Sequence, residues 1–306
     1  MKIVFFGTGD FSRTILKGLI DMGQTVVAVV TQPDKVNARN GKIIPSEIKT
    51  FCLDNSLPLY QFNSVSKEGE DTLKSYNADL FVTASFGQII KQNILDIPRF
   101  GTINVHASLL PKYRGSSPIQ WAIMNGEKKT GITIMQTVLA LDAGDIFLQK
   151  EIAINEDDTS SSVFNKLSTL GVECLREFFD NFNYYISNSK PQDESQMTYY
   201  PMIKKEDFLL DFNQPAEAIV NKIRALENCY FVFKGARYKI QKATKTNLTG
   251  KSGEVLKADS KNGFVIACKE DAINVEIMQP EGKQKMPAKN YMNSNKFKVG
   301  DELQNS

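Results

Sequence analysis

The sequence predicts an α/β protein: a doubly wound, mostly parallel sheet with helices on both faces, followed by a smaller β-rich domain of barrel type. Three features carry that expectation. Continuous apolar runs such as Thr25 to Thr31 (TVVAVVT) and Ala78 to Ser85 (ADLFVTAS) suit strands buried on both faces. Helix-like segments alternate with them in the β-α-β rhythm of a parallel sheet. Towards the C-terminus the pattern changes to short β-like runs broken by Gly250, Gly253, Gly263 and Gly282. A chain of 306 residues suffices for two cores of ordinary size. The expected layout is a first domain over 1–182, a linker over 183–205 and a second domain over 206–306.

The elements follow in order. Lys2 to Phe6 is a first strand, because this apolar run meets Gly7 too soon to be a signal peptide or a membrane span. A helix is expected from Asp10 to Met22, with Phe11, Ile15 and Leu19 four residues apart and Gly23 as its stop. Between the strands at Thr25 to Thr31 and Ala78 to Ser85 there is room for a crossover helix. Gly101 to Ser108 reads as a strand and Pro118 to Asn125 as a helix. Thr130 to Val138 and Asp145 to Ile154 read as strands flanking the loop Leu139 to Gly144. A long amphipathic helix starts at an Asp158-Thr159 cap and runs to about Phe182, burying Val163, Phe164, Leu167, Leu170 and Cys174. Asn183 to Lys205 is polar, aperiodic and interrupted by Pro191 and Pro201, as a linker would be. Gln214 to Leu226 regains helical spacing through Ala218, Ile219 and Ile223.

With 42% hydrophobic and 24% charged residues, the composition excludes a disordered or fibrous chain. Four widely spaced cysteines without a CxxC pair, and one histidine, point to a reducing cytoplasm and to no metal site. Charge is uneven: residues 204–306 carry 18 Lys/Arg against 13 Asp/Glu, leaving 19 against 22 for the rest. A basic C-terminal domain suits a polyanionic partner, although an ordinary lysine-rich surface accounts for the charge equally well.

Two motifs bear on chemistry. Gly7-Thr8-Gly9 after the first strand is part of a dinucleotide-binding fingerprint, but Ser12 replaces the third glycine. No acidic residue closes the second strand, where Val29-Val30-Thr31-Gln32 stands. The turn therefore reads as scaffold. The more informative stretch runs from Asn104 to Ile119. On a strand, Asn104 and His106 point to one face at its C-terminal edge, where open α/β sheets bind ligands. His106 is the only histidine. Asp142, in a loop of small residues, can orient that ring by accepting its N–H. These groups suit acyl transfer to an amine, with Asn104 and protonated His106 donating to the developing oxyanion. No GxSxG elbow or cysteine motif supplies a covalent nucleophile.

The pattern Asn-x-His-x-Ser-Leu-Leu-Pro-x-Tyr-Arg-Gly, followed by Leu-Asp-Ala-Gly-Asp-Ile, resembles the signature of the folate-dependent formyltransferases. The resemblance implies a formyltransferase-like variant of the Rossmann sheet and a 10-formyltetrahydrofolate donor. It puts Asn104, His106 and Asp142 in the catalytic positions and Ser108, Leu109, Leu110 and Pro111 along the folate site. Phe86, Gln88, Ile89 and Ile90, with the loop Ala140 to Asp145, would contact the pterin, chiefly through backbone groups.

Within that family, Phe6 to Phe11, the loop Thr31 to Ser46, and Met278-Gln279-Pro280-Glu281-Gly282-Lys283-Gln284-Lys285-Met286 are similar to the members that formylate initiator methionyl-tRNA. That likeness implies an oligonucleotide-binding-type barrel as second domain. It also implies a cationic loop, with Lys35, Arg39, Lys42 and Lys49, inserted at the tRNA acceptor end, and a monomer is expected. The chain departs from those members at Val36 to Lys42, where the glycine spacing is lost. It departs again at Glu227-Asn228-Cys229-Tyr230, in place of Asn-Pro-Trp-Pro. A formyltransferase acting on an amino-sugar nucleotide or another small amine is the alternative.

Overall fold

Ile3 to Phe6 of strand β1 (Lys2–Gly7) are all fully buried, so this strand belongs in the middle of a covered sheet. There it lies, between β2 (Thr25–Thr31) and β4 (Leu80–Ala84), with β3 (Leu59–Gln61) outside β2 and β5 (Thr102–His106) outside β4, all parallel. Two further strands, β6 (Lys129–Gln136) and β7 (Ile146–Ala153), complete the order β7-β6-β5-β4-β1-β2-β3; β6 pairs antiparallel with both β5 and β7, so it runs against the other six. The structure, a computed structural model, describes residues 1–36 and 41–303. They group into two units: Met1–Pro118 with Lys129–Ala153 and Phe164–Tyr200, and Ile119–Lys128 with Ile154–Val163 and the chain from Pro201 on.

Helix α1 (Asp10–Asp21) matches its expected span, with Gly23 following at φ of 78°, and α3 (Pro118–Met124) falls within the helix expected at Pro118 to Asn125. Helix α1 packs so closely on α4 (Ser160–Asp180) that a Cβ on Gly18 would stand 2.7 Å from a Val172 methyl. The buried stripe of α4 runs through Val163, Leu167, Cys174, Leu175 and Phe178, close to the one read from its periodicity. On one face of the sheet Val4, Phe6, Val30 and Phe81 form a core with Phe86 and Ile90.

Two features depart from the sequence reading, and a third adds a strand direction to the mostly parallel sheet it expected. The segment between β2 and β4 holds more than a crossover helix: a hairpin pairing Lys35–Val36 with Ile43–Ile44, helix α2 (Glu47–Asp54), and the edge strand β3. At two or three residues, such strands carry no readable alternation. Strand β6 opposes β5 because the chain makes no crossover between them: it leaves at the C-terminal end of β5 and returns from that same end. Residues 183–205, expected as a linker, hold most of the helix Phe182–Ser187 and the strand Tyr199–Tyr200, which pairs with Arg114–Gly115. Those up to Tyr200 group with the first unit.

In the second unit, β8 (Cys229–Phe233), β9 (Ala236–Thr246), β10 (Val255–Asp259), β11 (Gly263–Ala267) and β12 (Ala272–Pro280) form an antiparallel sheet in the order β8-β9-β12-β11-β10. This is the β-rich domain expected from the glycine-punctuated runs. Aromatic rings fill its core, Phe297 lying 4.7 Å from Phe264 and 4.9 Å from Tyr238 between centroids. Its helix α5 (Ala216–Leu226) ends on Glu227 in the left-handed region, φ 58°. The Glu227 carboxylate accepts from the Ser161 N–H at 3.0 Å and from the Ser160 and Ser161 hydroxyls at 2.7 and 2.6 Å. It thereby caps the first turn of α4, where Thr159 and Ser162 also form a reciprocal pair. Arg224 donates to the carbonyls of Asn155 and Asp158 just before that turn. Among the described residues no helix is long and apolar enough to cross a membrane.

Candidate active site

Successive side chains of β5 alternate between faces, so Asn104 and His106 emerge on the same side at its C-terminal end. Asn104 lies opposite Thr83 of β4, and the Thr83 hydroxyl donates to Asn104 Oδ1 at 2.9 Å. That bond decides which way the amide points. Its NH2 end has no partner among the described residues and is left as a donor.

The His106 ring is 6% exposed. Its Nε2 lies 3.1 Å from the carbonyl of Tyr113, and a carbonyl only accepts, so Nε2 carries a proton. The other nitrogen, Nδ1, faces Asp142 Oδ1 at 3.8 Å, which is beyond hydrogen-bond length. The carboxylate is aimed by its second oxygen, which accepts from the Gly115 N–H at 2.9 Å. The ring is therefore oriented by the Tyr113 carbonyl rather than, as the sequence suggested, by Asp142. Asp142 stands as a separate charge across a gap from Nδ1. Tyr113, Gly115 and Asp142 all have positive φ (62°, 114° and 49°), a concentration of uncommon backbone conformations in one small region. Only glycine fits at 115, where a Cβ would lie 2.1 Å from the Tyr200 carbonyl oxygen.

Ser108, Leu109, Leu110 and Pro111 follow directly. Ser108 is buried, and its hydroxyl donates to Lys112 O at 2.8 Å, tightening the turn. The Leu110 N–H donates to Thr133 Oγ1 at 3.2 Å and its carbonyl accepts from Gln149 at 2.7 Å. In the segment after β4, Phe86 and Ile90 belong to the core, and Ile89 is 80% exposed. The Gln88 amide is engaged at both ends, by the Val65 N–H at 2.9 Å and the Phe62 carbonyl at 2.8 Å. At the Gly7-Gly9 turn, the Thr8 N–H that a phosphate would need is bonded to Ser12 Oγ at 2.9 Å, as a scaffold turn requires.

Of the cationic loop, Lys35 and Lys42 are exposed, and Arg39 lies outside the described residues. Lys49 is engaged by the Asp34 carboxylate and by Gln61 Oε1 at 3.1 Å, which ties the foot of the loop to β3. The Lys49 ammonium, with Gln61, holds the Asp34 carboxyl below its usual value. All four cysteines are buried with thiols pushed up to about 12 by burial, which makes them poor nucleophiles. The sequence reading missed Thr83 and the Tyr113 carbonyl. Thr83 had one visible signal, a hydroxyl, shared with Ser85, near the end of the apolar run Ala78 to Ser85.

The Formyl transferase family model matches residues 1–178, and the Formyl transferase C-terminal domain model matches residues 202–296. A methionyl-tRNA formyltransferase of Geobacter metallireducens is 36% identical over 99% of this chain and 98% of its own length. That of Caldanaerobacter subterraneus subsp. tengcongensis is 41% identical over 95% and 96%. In fold, the chain is similar to HypX from Aquifex aeolicus, solved in complex with tetrahydrofolic acid, with TM-score 0.64 and 18% identity. It covers 100% of this chain but spans only about half (51%) of HypX. An N-formyltransferase from Helicobacter canadensis, solved with folinic acid and dTDP-3-aminofucose, gives TM-score 0.63 at 18% identity, covering 94% of this chain and 100% of that one. Likeness at that level speaks for the fold; the end-to-end identity of 36% and 41% to the first two relatives speaks for more, and by it the chain belongs to the methionyl-tRNA formyltransferase family.

Proposed function

We propose that this protein moves the formyl group of 10-formyltetrahydrofolate onto the free amino group of methionine carried by initiator tRNA, as a monomer in the cytoplasm. The observation that carries the mechanism is the pair of unsatisfied groups on one strand face. One is the Asn104 NH2, fixed as donor by Thr83; the other is His106 Nδ1, left without a hydrogen bond while Nε2 is held by Tyr113. A donor and a proton-accepting nitrogen two residues apart fit a carbonyl oxygen beside an attacking amine.

As the amine adds to the formyl carbon, negative charge gathers on the formyl oxygen, and the Asn104 amide donates to it. His106 Nδ1 takes the proton released by the amine, and the Asp142 carboxylate favours the resulting imidazolium across the 3.8 Å gap. The Nδ1–H then serves as a second donor to the oxygen; as the bond from the formyl carbon to the folate nitrogen breaks and the formyl C=O re-forms, the proton passes from Nδ1 to that nitrogen, which leaves as tetrahydrofolate. When bound, the folate supplies only the activated formyl group. The backbone of Phe86 to Ile90, the exposed Ile89 and the Ser108 to Pro111 turn would hold it, because Phe86, Gln88 and Ile90 direct their side chains inward. Lys35, Arg39 and Lys42 would meet tRNA phosphates at the acceptor end.

The test is formyl transfer from labelled 10-formyltetrahydrofolate to charged initiator tRNA, free methionine and a panel of amino-sugar nucleotides. Charged tRNA is expected to be the acceptor; preference for a sugar nucleotide would overturn the acceptor assignment. His106→Ala should lower kcat by about a thousandfold with folate binding intact. Unchanged turnover would remove His106 from the chemistry.

A further inference from the structure

Tyr113, Arg114 and Gly115 are consecutive, and the outer two each hold one member of the His-Asp pair: the Tyr113 carbonyl holds the ring and the Gly115 N–H holds the carboxylate. Between them the Arg114 side chain, 7% exposed, turns away towards the segment after residue 189. There Gln192 Oε1 accepts from Arg114 Nε at 3.1 Å and Nη2 at 2.7 Å. The other end of the same amide, Gln192 Nε2, donates to the carbonyls of Asp142 and Gly144, both at 2.8 Å. All four hydrogen-bonding capacities of the amide are thus used, two on each side of the site. Backbone pairing aligns the segment: the Arg114 N–H donates to Thr198 O at 2.9 Å, the Tyr113 N–H to Thr198 Oγ1 at 2.9 Å, and Lys190 bridges to Ile146.

We infer that Gln192 is a positioning residue that sets the separation between His106 Nδ1 and the Asp142 carboxylate, clamping the Asp142 loop to the 113–115 turn through Arg114. The inference rests on the catalytic reading of His106 and Asp142 given above. Glu194 also pairs with Arg114, its carboxylate held below the usual range by that guanidinium, and its bonds run to Arg114 and not to the Asp142 loop. Among the described residues, Gln192 is the partner of Arg114 that also bonds the backbone of the Asp142 loop, and it adds a second tie to the direct Gly115 N–H bond on the carboxylate. Its role depends on both ends being different: an acceptor for a cation on one side, a donor for two carbonyls on the other.

Gln192→Leu removes both ends, and Gln192→Glu keeps the grip on Arg114 while setting a carboxylate against two carbonyls. Both variants should lose about ten- to hundredfold in kcat, with KM for the folate donor within about twofold of the parent. A second readout is independent of turnover. His106 is the only histidine, so in untagged, 15N-labelled protein the imidazole correlation spectrum shows one ring. In the parent it should show the Nε2–H form, and in both variants that pattern should shift as the Tyr113 carbonyl is displaced. If Gln192→Leu fails to fold, Gln192→Glu, which retains the Arg114 bond, carries the test. Parent-like kcat and an unchanged ring spectrum would overturn the clamp while leaving the catalytic reading intact, provided His106→Ala is inactive. Full activity in His106→Ala would instead overturn the catalytic reading itself, whatever Gln192 does.

Discussion

An asparagine amide serves as an oxyanion donor only when its NH2 end faces the reaction, and at position 104 a neighbour decides that. The Thr83 hydroxyl donates to Oδ1 at 2.9 Å and also lies 3.2 Å from the Ile103 carbonyl. With that hydroxyl gone, the two amide orientations approach equal energy and part of the population presents oxygen to an incoming oxyanion. Thr83→Val, which keeps the branched shape, should therefore lower kcat by about tenfold, a fraction of what deleting such a donor outright costs. Folate binding should change little, and steady-state kinetics with the two substrates varied separately checks this. Loss of donor binding equal to the loss in kcat would point to a collapsed strand edge instead. At this scale the sequence disclosed the proposed reacting groups but not their supports. Asn104, His106 and Asp142 stand out by residue type and spacing. The contacts of Thr83, Tyr113 and Gln192 depend on approaches between residues 7 to 78 positions apart, which one-dimensional spacing does not encode.

Among the elements, α1, α4 and α5 were legible because each carries a sustained apolar stripe, and β1, β2 and β4 because they are continuous apolar runs. The short edge strand β3 and the hairpin at Lys35–Val36 were not, nor was the direction of β6. The departure at Glu227 has a structural account: in place of a Pro- and Trp-bearing turn, a carboxylate caps α4. Burial raises the Glu227 carboxyl, but the bonds from Ser161 and Ser160 outweigh it, and the net value lies below the ordinary 4.5. A group lowered on folding stabilises above its unfolded value and loses that contribution as pH falls through the folded one. Glu227→Ala should destabilise by about 1 kcal/mol at neutral pH. Alanine shares the same unfavourable φ, so the difference isolates the carboxylate. Urea unfolding at several pH values checks it: the gap between parent and variant should close below about pH 4.5, and a gap independent of pH would show that the carboxylate is not the stabilising group.

For the whole molecule, the uneven charge has a kinetic consequence that the two substrates separate. Residues 204–306 hold an excess of five positive charges over a remainder with an excess of three negative ones, and Lys35 and Lys42 are exposed on the inserted loop. A polyanionic acceptor gains from each phosphate neutralised, because condensed counterions are released, whereas a small co-substrate does not. Each such contact adds about 0.7 to the salt slope for a single-stranded end and about 0.9 for a duplex. The logarithm of kcat/KM for charged tRNA should therefore fall steeply against the logarithm of salt concentration, while that for the folate donor stays nearly flat. Replacing Arg39 and Lys42 together by alanine should make the tRNA slope shallower by about 1.5, the release lost from two contacts at an unpaired end. The folate slope should not move. Were the double variant to lose tRNA activity without any change of slope, the loop would act through shape rather than phosphate charge, and the basic residues of 204–306 would carry the electrostatic attraction.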